Sequence, residues 1–178
     1  MKKLKFRVKG STDMLPHKFN GLAEEKRIKE MPEAEQAEKH AYRHPNGNLA
    51  IPCEWFRGCI VNNFIDKAGA KTKTSTKNEV APRLRVEPAL IDLGIKDYEI
   101  DIRSVPSGGR SGGIRDFCVR PRIGEWEAEF TLVSLLKHPV NDIKRSVEVA
   151  GVDIGIGSNR VNGFGRFEVV SCEEVKQP

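Results

Sequence analysis

The run GIGSNRVNGFGRF at residues 155–167 holds four glycines, two arginines and two phenylalanines. Glycine loses more backbone freedom on ordering than any other residue, so such a cluster marks positive φ or close approach of something to the main chain. Successive main-chain N–H groups without Cβ atoms in the way form a concave nest for an anion, and Arg160 and Arg166 would add charge to it. The spacing G-x-G-x5-G-x-G, carried by Gly155, Gly157, Gly163 and Gly165, therefore points to phosphate binding. The plain alternative is a tight connection packed on its own sheet. A dinucleotide fingerprint is excluded, because there a strand precedes the glycines and a helix follows, the reverse of the order here.

Two further segments offer positive charge. Residues 67–85 contain Lys67, Lys71, Lys73, Lys77, Arg83 and Arg85 against the single acid Glu79, and residues 106–122 contain Arg110, Arg115, Arg120 and Arg122 against Asp116. Neither has a periodic apolar face, so both read as basic insertions that neutralise phosphates, with Lys71, Lys73, Arg110 and Arg115 as the expected contacts. Solubilising loops are the alternative. Chemistry beyond binding has less support. Metal-independent RNA cleavage needs a general base, but His17, His40, His44 and His138 fall in no local signature. No catalytic residue, metal ligand or cofactor is assigned; the Glu-rich stretch 24–38 reads as a solvated helix. Cys53, Cys59, Cys118 and Cys172 lack CxxC spacing and read as buried thiols in a reducing compartment.

These groups need a scaffold, and hydrophobic periodicity supplies one. Leu4, Phe6 and Val8 alternate with Lys3, Lys5, Arg7 and Lys9, predicting a half-buried strand over 3–9. Tyr98, Ile100 and Ile102 alternate with acids and Arg103, predicting a second strand over 97–105. Trp126, Ala128, Phe130 and Leu132 oppose Glu125, Glu127 and Glu129 in a third, and RFEVVS at 166–171 is a fourth. Phe56, Ile60 and Phe64 recur at i, i+4 and i+8 after Pro52, predicting a helix that stops near Gly69. Val140, Ile143 and Val147 predict another after Pro139. Residues 20–41 read as helix or mobile charged chain, broken near Pro32. The order strand, helix, strand, strand, helix, strand predicts an α+β fold: a ferredoxin-like (RRM-like) βαββαβ sheet, helices on one face, with long insertions at about 10–48, 67–85 and 106–122. The acids of the third strand should meet the bases of the first across the ladder, covering the open face with ion pairs. Trp55 and Trp126 are expected in the core.

The glycine loop, placed between the last helix and last strand of such a fold, resembles the C-terminal glycine-rich loop of the RAMP superfamily, the RNA-binding proteins of CRISPR effector and processing complexes. The stretch NGNLAIPCEWFRGCI is similar to the family segment in which a glycine turn precedes an IPGSSLKG-like start of the first helix, with Ile51, Pro52, Arg57 and Gly58 in matching places. Cys53, Glu54 and Trp55 depart from the family's small residues there. The resemblance implies single-stranded RNA as partner, with Arg57 beside the glycine loop in the site. It also implies a backbone-type subunit that polymerises along a strand next to other effector-complex subunits. A processing endoribonuclease of the same superfamily, or a single-stranded DNA-binding or assembly protein of a mobile element, are the alternatives.

At 178 residues the chain reads as one domain able to bury a core of its own. A net charge of +5, from 30 bases against 25 acids, favours an anionic partner without demanding one. No segment has the apolar length of a signal peptide core or a membrane span, so a cytoplasmic protein is expected.

Overall fold

The computed structural model describes residues 1–64, 74–106 and 115–175. In chain order the first half forms β1 (Lys2–Gly10), α1 (Leu22–Ile28), α2 (Glu33–His40), β2 (Ala50–Pro52) and α3 (Cys53–Asn62). The second half forms α4 (Thr74–Val80), β3 (Leu84–Glu87), β4 (Leu90–Asp92), β5 (Glu99–Pro106), β6 (Arg115–Arg122), β7 (Glu127–Ser134), α5 (Val140–Asp153) and β8 (Phe167–Glu174).

Strict alternation makes β1 a strand with one apolar face, and two antiparallel neighbours make it the centre of a sheet. The order is β3-β7-β1-β8. Phe6 stands opposite Phe130 of β7 on one side and Cys172 of β8 on the other. The buried face carries Leu4, Phe6, Val8, Ala128, Phe130 and Leu132. Over it lie α3 and α5, which also touch each other. Phe56 of α3 stacks on Phe130 at 4.4 Å and meets the edge of Phe167 at 5.4 Å, so one ring ties helix, central strands and last strand together. Trp126 is buried, as expected, its indole N–H donating to the Thr12 carbonyl.

The opposite face is covered by charge. Arg7 stands directly opposite Glu129, yet its guanidinium pairs diagonally with Glu127 at 2.7 Å, and Lys5 pairs diagonally with Glu129 at 2.9 Å. Both pairs are half exposed, so solvent screens them. Lys5→Ala should therefore leave the urea unfolding midpoint unchanged within error, which an equilibrium titration checks.

The second strand of the expected order is corrected. Residues 97–105 do not join the central sheet; β3 does, through Val86 opposite Leu132. The alternation seen at 98–103 belongs instead to a separate hairpin of β5 and β6, so 115–122 is a regular strand and not irregular chain. Its polarity is inverted. Asp101 is 6% exposed, whereas Ile100 and Ile102 are 43% and 44% exposed. Asp101 can be buried because Arg120, standing opposite, reaches it at 3.3 Å and Arg103 reaches it at 2.7 Å. The basic stretch 67–85 is likewise not all loop, for it contains α4 and the start of β3. The first core helix ends at Asn62, whose successor Asn63 leaves helical geometry, earlier than the expected stop at Gly69.

Residues after β1 build a second layer. Met14 bridges Ile123, and α2 packs on β6. Among the described residues no helix is long and apolar enough to cross a membrane.

Candidate nucleic-acid interface

The helix α3 follows Pro52, which stands as its N-cap with a fixed φ of −63° that suits a helix entry. Its third residue, Trp55, is half-buried and meets Tyr42 edge-on at 5.4 Å. Two residues on, Arg57 points back into the protein. Its Nε donates to the Leu84 carbonyl at 2.9 Å and its Nη2 to the Ala81 carbonyl, so it ties α3 to the entry of β3.

The glycine loop leaves α5 and folds over itself. Gly155, Gly157, Gly163 and Gly165 all have positive φ, as does Asn159. Ile156 donates to the Gly165 carbonyl at 2.9 Å, Gly165 donates to the Asp13 carbonyl at 2.8 Å, and Ser158 donates to the Leu15 carbonyl at 2.9 Å. Thr12 completes this strap: its hydroxyl donates to the Gly163 carbonyl at 2.8 Å and accepts the Arg166 main-chain N–H at 2.9 Å. Three of the glycines answer to this self-packing. A Cβ on Gly155 would strike the Gly165 carbonyl, one on Gly165 the Ile156 carbonyl, and one on Gly157 would come within 3.1 Å of the Leu15 carbonyl. Gly163 differs, since a Cβ there would meet nothing within 4 Å.

The two segments singled out in the sequence meet. A cleft of about 240 Å³ lies between α3 and the loop, lined by Glu54, Trp55, Gly58, Cys59, Asn62, Ile156, Gly157 and Arg160. Arg160 is exposed at its edge, and its carbonyl accepts from the Gly163 N–H at 3.0 Å and from Arg166 Nη2 at 3.2 Å. Arg166 Nη1 is buried with no hydrogen-bond partner. Burial pushes the Cys59 thiol up to about 12, with Arg160 and Arg166 acting in the opposite direction, so both guanidinium groups act on the floor of this cleft. A thiol held there is an inert wall.

A second cavity of about 360 Å³ opens on the other side of the loop, lined by Thr12, Asp13, Arg122, Asn162, Gly163 and Phe164. Here the hairpin reaches the loop. The Arg103 guanidinium lies 4.5 Å from the Phe164 ring centroid, and Arg122 Nε donates to Asp13 at 2.6 Å. The structure thus places Gly157 and Arg160 on the wall of the first cavity and Gly163 on the second, with Arg166 bonded to the Arg160 carbonyl. Arg57 lies on the same helix as the cleft but spends its donors inside the fold. Arg115 is exposed near the hairpin end, bonded to the Ser104 hydroxyl at 2.8 Å. Lys71, Lys73 and Arg110 lie outside the described residues. The sequence reading missed Trp55 as a cleft wall, and missed Arg103, Arg122 and Phe164 as neighbours of Gly163. Trp55 sits on α3 one position before the buried Phe56, at the margin of the apolar stripe, which was the available signal.

No protein-family model and no curated protein matches the chain. Solved structures do. A chain of the Type III-B Cmr-beta complex, solved by cryo-EM bound to cognate target RNA, aligns with a TM-score of 0.65 at 14% identity. The alignment covers 98% of this chain and 61% of that one, so the present chain spans only part of the length of its neighbour. Cmr6 from Pyrococcus furiosus aligns over 95% of this chain and 98% of its own at 13% identity, with a TM-score of 0.46. The first likeness establishes a shared fold, and it agrees at that level with the resemblance to the RAMP superfamily.

Proposed function

We propose that the chain is a RAMP-type subunit of a CRISPR effector complex that holds single-stranded RNA by its backbone, acting in the cytoplasm beside other subunits along the strand. One observation carries this reading: the first-helix segment and the glycine loop, more than ninety residues apart, line a single cleft with Arg160 at its edge and an unpartnered Arg166 Nη1 beside it. The sheet order read from its other edge, β8-β1-β7-β3, with α3 and α5 as the two crossing helices, supports a ferredoxin-like βαββαβ core in a single domain. The neighbour bound to target RNA gives the partner class its support. Arg160 and Arg166 supply charge to phosphates, Gly163 leaves room for the strand, and Trp55 offers a ring face for a base. Lys71, Lys73, Arg110 and Arg115 add charge along the strand's path. Gly155, Gly157 and Gly165 contribute by shaping the loop.

Fluorescence anisotropy with matched single-stranded RNA, single-stranded DNA and duplex, each at low and moderate salt, tests the reading. Each phosphate contact on a single strand contributes about 0.7 to the salt slope, so Arg160→Ala/Arg166→Ala should lower that slope by about 1.4. Affinity for RNA should fall at least about ten-fold at low salt. Equal binding by wild type and variant would reduce the loop to a structural connection and move the search to protein partners.

A further inference from the structure

Three segments with little apolar surface of their own converge on one point. His17 comes from the stretch between β1 and α1, Glu25 from α1, and His40 from the last turn of α2. One ligand-capable atom from each lies within 4.8 Å of the other two. His40 is 5% exposed. Its Nδ1 is 2.6 Å from the Val119 carbonyl of β6, and its Nε2 is 3.1 Å from Glu25 Oε2. A carbonyl only accepts, so Nδ1 carries a proton. A neutral ring held that way turns a bare Nε2 lone pair toward a carboxylate, two acceptors face to face. A cation at Nε2 removes the conflict, and a metal ion does so without a second proton. The His17 ring stacks on His40 with centroids 4.4 Å apart, and its Nδ1 lies 3.3 Å from Cys118 Sγ.

We propose that His17, Glu25 and His40 bind one divalent transition-metal ion, zinc by the chemistry of the donors. Two imidazoles and a carboxylate suit zinc and disfavour magnesium, which takes oxygen ligands. The carbonyl of Val119 plays the outer partner that fixes the tautomer and orientation of a ligating histidine. Because the two rings are stacked, coordination asks His17 to turn its ring edge toward the other two. The fold also has use for a staple here. Helices of seven and eight residues, the lengths of α1 and α2, do not hold themselves together in water. A metal would join both of them and the His17 stretch beside β6.

The proposal stands apart from RNA binding and is tested without it. The full chain, purified without metal-chelating resin, is dialysed, unfolded and analysed for metals by mass spectrometry. Metal-stripped chain is then titrated with zinc against a chromogenic chelator, and its melting is followed with zinc or with magnesium. About one zinc per chain, and a melting temperature raised by zinc but not by magnesium, is the expected result. His17→Asn, half-buried and outside any helix, should keep the far-UV spectrum and bind zinc at least about ten-fold more weakly. His40→Ala is the harsher companion variant. Wild-type chain that neither retains zinc nor melts higher with it, or a folded His17→Asn chain of unchanged zinc affinity, would overturn the site.

Discussion

Gly165→Ala lowers the thermal unfolding midpoint by about 6–12 °C, while Gly163→Ala, two positions away, lowers it by about 2–4 °C. Both glycines have positive φ, at +72° and +87°, so both substitutions carry a left-handed penalty of about 1 kcal/mol. Only at Gly165 does the new Cβ land on main chain, the Ile156 carbonyl. A carbonyl in a paired loop cannot swing aside as a lysine tip can. The two arms must part, weakening the bond from Ile156 to the Gly165 carbonyl and the bond from Gly165 to the Asp13 carbonyl. At about 1 kcal/mol net for each, the total reaches about 3 kcal/mol. Scanning calorimetry on the two variants separates the effects. Equal losses would mean that close approach is not what selects glycine at position 165.

The second large effect lies in the hairpin. Asp101→Ala should destabilise the chain by about 3–5 kcal/mol, read from equilibrium urea unfolding, because it leaves Arg120 charged, 5% exposed and without its carboxylate. The loss is a desolvation effect, so it has a distinctive rescue. Replacing Asp101 and Arg120 together by leucines removes both charges from the interior and should recover most of the stability. Arg103 would also lose its partner, and the same guanidinium lies over Phe164, so the single variant should loosen the Gly163 side of the loop as well. A double variant as unstable as the single one would show that packing, not the stranded charge, sets the cost.

The same ion cluster explains where sequence patterning stopped. Leu4, Phe6 and Val8, and likewise Ala128, Phe130 and Leu132, face the core because apolar alternation has one cheap solution when helices cover one side of a sheet. Residues 98–103 alternate just as cleanly, but Asp101 is paired by two arginines and can be buried with its charge compensated, which turns the isoleucines outward. Pattern does not record that. The strand that joins the sheet in their place, LRVE at 84–87, is four residues long and follows a basic stretch, too short for its period to stand out. In the candidate site the glycines were legible as needing close approach; what approaches them was not. For Gly155, Gly157 and Gly165 it is the loop's own carbonyls and the 11–15 segment, contacts set by tertiary folding. His17, Glu25 and His40 carry no motif, since their spacing becomes meaningful only when α2 packs on β6 and α1 on α2.

The central place of β1 bears on the history of each molecule as it is made. The strand finds its first hydrogen-bonding neighbour at 127–134 and its second at 167–174, both later in the chain, so it emerges from the ribosome long before either. For that interval KLKFRVK is a β-prone segment with two unpaired edges. The alternation of Lys3, Lys5, Arg7 and Lys9 keeps it positively charged throughout the wait, so nascent copies repel one another. The bases that later pair with Glu127 and Glu129 thus have an earlier employment, as guards against self-association during synthesis.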